Sequence, residues 1–148
     1  VPRFIFPAGN FMDISRFMDH HVDILRSIKE MREHSRAGVA EHAGEISRAI
    51  MKLRSKVSLH LATENKVMYP AIYALQDPEI AKLARGFQDE MEGLAQAFDG
   101  FCRRWRQARA VAENPEGFRN DANTVLKALH QRIQRENTRF YPRLTEAA

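Results

Sequence analysis

The sequence predicts an all-α protein, an antiparallel up-and-down bundle of four helices, and three observations predict it. Gly occurs only 7 times in 148 residues, while the strong helix formers Ala, Leu, Arg, Glu and Met are abundant. Apolar residues recur at helical spacing in four stretches of about 20 to 30 residues. The breaks between these stretches are short, and short connections make consecutive helices antiparallel neighbours. The length suits one domain, residues 1–148, with one shared core.

Residues 1–12, VPRFIFPAGNFM, mix aromatics with Pro and Gly and read as an extended arm packed along the body. The chain opens on Val1 rather than Met, which fits an added or processed end. The first helix is expected over about 13–34, with Asp13 as its N-cap and Ile14, Phe17, Met18, Ile24, Ile28 and Met31 on one stripe. His21 falls on that stripe, and His20 lies one step round on its flank. After a break at SRAG, the second helix covers about 39–68, and the face carrying Ile46, Ile50, Leu53 and Val57 continues through His60 and Glu64. Pro70 is expected to end or kink it.

Pro78 stands just inside the start of the third helix, about 78–110. Its stripe is Ile80, Leu83, Phe87, Met91, Leu94, Phe98, Phe101 and Trp105. AENPEGF reads as a compact loop. The last helix, about 117–140, carries Phe118, Ala122, Val125, Leu129, Ile133, Glu136 and Phe140 in register.

Charge and cysteine content narrow the function. A net charge of +4, with basic and acidic residues interleaved, gives no long footprint for nucleic acid. The densest basic run, RRWRQAR at 103–109, sits at an expected helix end, where cations complement the macrodipole. No apolar run is long enough for a membrane span or a signal-peptide core. The lone cysteine, Cys102, cannot form an internal disulfide, so a soluble protein of the reducing cytoplasm is expected. Cys102 itself reads as a small semi-buried hydrophobe.

The chemistry lies in the polar residues of the apolar stripes. Side chains four apart on a helix are offset by only about 40°, so His60 and Glu64 project into one volume. Folding the stripes into one core brings His21, His60, Glu64 and Glu136 together from three helices. A buried carboxylate needs a cation, a donor or a proton. Mixed imidazole and carboxylate donors suit iron, with manganese or zinc as other occupants. The plainer alternative for each residue is structural: His21 as a satisfied core histidine, and His60 hydrogen-bonded to Glu64.

The phrase ENKVMYP at 64–70 recurs as ENTRFYP at 136–142. A His on the first helix, HLATENKVMYP on the second, and a second Glu phrase on the fourth together resemble the hemerythrin-like (HHE cation-binding) family, over about residues 13–144. The resemblance implies a hemerythrin-like bundle with a non-haem di-iron site that binds O2, senses NO or redox state, or answers iron stress. It also implies metal ligands at His21 (or its neighbour His20), His60, Glu64 and Glu136, the two glutamates bridging. The sequence departs from the family at two histidine positions, which hold Met91 and Arg132. His130 does not replace the latter, being about 120° away round the helix; Glu90 is a candidate substitute beside Met91. The fixed charge of Arg132 can stand where a second metal would lie and pair with Glu136, Glu64 or both. Ferritin-like di-iron bundles carry Glu before His at three-residue spacing, and here the order is reversed.

Two functions follow. In the first, the protein binds iron, mononuclear or di-iron, and senses or handles a diatomic ligand such as O2 or NO, or iron and redox stress, without identifiable catalytic residues. In the second, the site holds no metal and the domain works as a regulatory or protein-interaction module. Neither reading needs nucleic acid or a membrane, and both are compatible with a homodimer or a protein partner. Tyr69 and Tyr141, before the prolines, are expected to pack at the bundle end.

Overall fold

The computed structural model describes the backbone of residues 3–5 and 11–147, and side chains over 14–145. Four long helices dominate it: α1 (Ile14–Arg36), α2 (Ala43–Thr63), α4 (Pro78–Trp105) and α6 (Pro115–Arg135). Shorter helices α3 (Tyr69–Ala74), α5 (Ala108–Glu113) and α7 (Tyr141–Ala147) join or extend them. Cross-helix pairs show that neighbours run in opposite senses. On α1 and α2, His21 meets His60 while Ser27 meets Lys56; on α4 and α6, the Phe87 carbonyl meets Arg132 while Trp105 meets Asp121.

The expected arm differs in part. Strand β1 (Arg3–Ile5) pairs antiparallel with β2 (Phe11–Asp13), Phe4 opposite Met12, so the described part of the arm is a small ribbon. Asp13 ends β2 directly before α1, and its expected capping side chain lies outside the described residues. Gly38, with φ of 124°, occupies the left-handed region that favours glycine in the turn after α1, and α2 begins at Ala43 rather than 39.

Pro70 does not stop the second helix. After Thr63 the chain enters a π-helical turn, Glu64–Met68, and continues helically through α3. The same sequence of events follows α6: a π-turn over Glu136–Phe140 and then α7 past Pro142. Proline is tolerated because it falls in the first turn of a new α segment, where its missing N–H is not needed. The third helix stops at Trp105 rather than 110. The stretch AENPEGF is mostly helical too: Asn114 separates α5 from α6 and caps the latter, its Oδ1 accepting from Gly117 N–H at 3.0 Å.

Asp77 caps α4, accepting from the N–H of Glu79 at 3.0 Å and of Ile80 at 3.3 Å. Asp77→Ala is expected to cost about 1 kcal/mol, the usual value of a lost N-cap, measurable by urea unfolding. Basic residues of the 103–109 run are held in ion pairs, Arg104 with Asp121 and Arg109 with Glu113. Cys102 is buried, which pushes its thiol up to about 12 and leaves it un-ionised.

The core has two apolar clusters. The larger contains Ile24, Ile28, Ile50, Leu53, Phe98, Trp105, Phe118 and Leu129; the smaller contains Ile14, Phe17, Met68, Ile72, Phe140 and Tyr141. Among the expected stripe residues Met18 is exposed, Leu83, Phe87, Leu94 and Val125 are partly buried, and Leu126 beside Val125 is buried. Along α1, α2 and α6, the inward polar residues fall between members of the two clusters, so the polar centre is enclosed by apolar layers.

Candidate metal centre

His21, His60, Glu64, Glu136 and Arg132 are each at most 4% exposed. His21 Nε2, His60 Nε2 and a carboxylate oxygen of Glu136 can all lie within 4.8 Å of one another. His21 Nε2 is 3.1 Å from His60 Nε2 and 3.5 Å from Glu136 Oε2, and Glu64 Oε1 lies 2.8 Å from His60 Nε2. The 3.5 Å separation is too long for a strong hydrogen bond. Glu136 Oε2 therefore lacks a hydrogen-bond partner, as does Glu64 Oε2.

Each imidazole is oriented from its far side. His21 Nδ1 donates to Asn137 Oδ1 at 2.7 Å, which turns the Nε2 edge of the ring toward the centre. His60 Nδ1 lies 3.1 Å from His20 Nδ1. The inward position on α1 therefore belongs to His21, and His20 stands behind His60. The Tyr141 ring stacks on His21 at 5.2 Å, and its hydroxyl reaches within 3.3 Å of His21 Nε2. Tyr141 is thus part of the centre as well as of the bundle-end packing expected for it.

The other half of the centre is held by Arg132. Its Nε donates to Glu136 Oε1 at 2.9 Å, Nη1 donates to the Phe87 carbonyl at 2.7 Å, and the guanidinium lies 4.8 Å from the Phe87 ring centre. Glu90 does not turn inward; its half-exposed carboxylate pairs with Arg135, with Arg132 Nη1 at 3.7 Å. Met91 is buried where Glu64 and Asn65 border a cleft.

The electrostatics follow from this crowding. Burial pushes Glu64 well above the usual carboxylate range, and the neighbouring charge of Glu136 adds to the shift. Burial alone would raise Glu136 too, but the close approach of His21 and the charge of Arg132 hold it below that range. One carboxylate is ionised against Arg132 and the other takes up the proton. Burial also lowers His60 from 6.5 to about 4, aided by Arg132 and opposed by Glu136. Burial raises Tyr69 and Tyr141, so both hydroxyls stay protonated.

These shifts oppose one another in the metal-free chain. Folded His60 resists protonation, so its contribution is present above pH 6.5 and is lost as pH falls toward about 4. Glu64, with a raised folded value, acts in the opposite sense and gains as pH falls. Glu64→Gln removes the compensation, so chelator-treated variant protein should lose about 3 kcal/mol between neutral pH and pH 4. Denaturant midpoints across that window provide the check; a pH-flat variant would contradict the burial argument for His60.

The donor set fits a cation: two inward-facing imidazole nitrogens, carboxylates with unpartnered oxygens, and an apolar surround. Arg132 leaves room for this chemistry on one side of Glu136 only. Asn137, Tyr141 and His20 were missed as partners. The signal for Asn137 and Tyr141 was the repeated phrase itself, whose common letters include the Asn after each Glu and the Tyr five residues on; the phrase does not include His20. On an α-helix the fifth residue falls about 140° away. The π-turns close i to i+5 hydrogen bonds, Tyr69 N–H to Glu64 O and Tyr141 N–H to Glu136 O, and thereby retard each Tyr toward the face of its Glu.

A family profile described as Hemerythrin HHE cation binding domain matches residues 12–144. No curated protein and no solved structure matches the chain.

Proposed function

The chain belongs to the hemerythrin HHE cation-binding family, and from that premise we propose that it binds one metal ion per chain, iron by preference, in a centre where Arg132 takes the place of a second cation. The observation that carries this reading is the pairing of Arg132 with one oxygen of Glu136, which leaves the other oxygen unpartnered beside His21. His21 and His60 would hold the ion through their inward-facing imidazoles, and Glu136 and Glu64 through their carboxylates. When bound, iron supplies a redox-active Lewis acid with affinity for O2 or NO, and sensing of such a ligand or of iron and redox stress is the role we assign. Asn137 and His20 fix the two rings, Tyr141 offers a hydroxyl to the centre, and the apolar clusters flank it along the helices. Among the described residues no helix is long and apolar enough to cross a membrane. A reducing cytoplasm, suggested by the lone free cysteine, is part of the same proposal.

The second reading is a metal-free helical module that acts through a protein partner or a second copy of itself. The ion pair of Arg132 with Glu136 favours it, because that pair and a protonated Glu64 already neutralise the core. Metal analysis of protein produced in iron-replete medium, with an optical spectrum, separates the readings. One metal per chain is expected. None would support the module, and two would overturn the role given to Arg132.

A further inference from the structure

We propose that the cleft between α2 and α4 is the entrance through which a hydrated divalent cation reaches the centre, with Glu92 at its rim and Glu64 as the first inward acceptor. The inference rests on the single-metal reading and adds the route. The cleft has a volume of about 480 Å³. Its inner wall includes Glu64, whose Oε2 is buried without a partner, and Tyr69, whose buried hydroxyl also has none. Two unsatisfied oxygens buried in residues that line one cleft are what an arriving cation and its waters can satisfy once the wall gives way.

The outer lining has the matching charge. Glu92 and Asp99 border the cleft beside the carboxamides of Gln88, Gln96 and Asn65, and among the described residues no Lys, Arg or His lines it. Asp99 is engaged by Arg54 at 3.0 Å and by Arg103, so Glu92, which has no ion pair among the described residues, carries the uncompensated charge. Three other clefts are lined by bases: Arg32, Arg36 and Arg119 in one, Arg135 and Arg139 in the other two. In a chain of net charge +4, the α2–α4 cleft is therefore where the field favours a cation. Met91, buried at the inner end, is unbranched and flexible enough to move aside.

The test is the rate of loading of the full metal-free chain with cobalt(II) alone, followed by its visible absorption in stopped flow. Glu92→Lys should slow uptake by about three- to tenfold at low ionic strength, an effect that high salt removes. Gln96→Trp, which narrows the cleft from an exposed position, should slow uptake at every ionic strength, and both variants should reach the unmutated final occupancy. Glu79→Lys, on an Arg-lined cleft, is the control and should load at the unmutated rate. If both cleft variants load as fast as the unmutated chain, or lose final occupancy instead of rate, the entrance is overturned and the metal reading stands. If the unmutated chain takes up no cobalt, both fall together.

Discussion

Replacing Arg132 with methionine is expected to cost the metal-free protein about 3–5 kcal/mol, the range for breaking a buried ion pair from one side. Arg132 is 1% exposed and Glu136 2%. Methionine fills much of the volume but leaves the Glu136 carboxylate and the Phe87 carbonyl without their donor. The stabilisation belongs to a geometry as well as a charge: one guanidinium reaches an acid through Nε and a backbone carbonyl through Nη1 while lying over an aromatic ring. Arg132→Lys is therefore expected to recover only part of the loss. The double variant Arg132→Met with Glu136→Gln should recover more, because it removes the stranded charge, and the cycle of single and double variants isolates the coupling. Urea unfolding in the presence of chelator gives all four values. A loss below about 1 kcal/mol, the scale of a surface pair, would mean that Glu136 does not depend on Arg132 for its charge.

The second large effect concerns metal. His60→Ala should abolish stoichiometric binding, lowering affinity by more than the roughly 10–100-fold that loss of an outer partner costs. His60 faces His21 and Glu64 through one nitrogen and His20 through the other, so truncation removes a donor and unties its neighbours together. Asn137→Ala, which leaves every donor atom in place and frees only the His21 ring, should fall within that 10–100-fold range. Stability offers an independent readout: metal at a hundredfold excess over its dissociation constant should add about 2.7 kcal/mol to the unmutated chain and nothing to His60→Ala. Thermal unfolding with and without added metal makes the comparison. Equal metal content in His60→Ala and the unmutated chain would rule out the centre proposed here.

His60 and Asn137 differ in how far their contacts reach along the chain. His60 and Glu64 are four apart on one helix, so their convergence is a property of helical period alone. Helical period likewise turns His21 and Glu136 inward and sets Arg132, four residues before Glu136, within reach of it; of the partners expected for Arg132, Glu136 and Glu64, it is Glu136 that it pairs with. Asn137, by contrast, meets His21 across 116 positions of sequence, and Arg132 meets a backbone carbonyl of α4 across 45. Neither contact has a local signature.

Sequence by itself determined the helical class, the inward stripes, the polar residues interrupting them and the repeat of the Glu phrase. These are fixed by interactions within a few residues, where helical geometry relates position to direction. Only the tertiary structure decided that His20 stands behind His60, that Pro70 and Pro142 continue their helices after π-turns, and that Tyr141 reaches His21. Those outcomes depend on the rotation and height of one helix against another, and a π-turn shifts the phase of every residue after it. Such quantities are set by how two apolar clusters pack around the polar layer between them, and no stretch of a single helix encodes them.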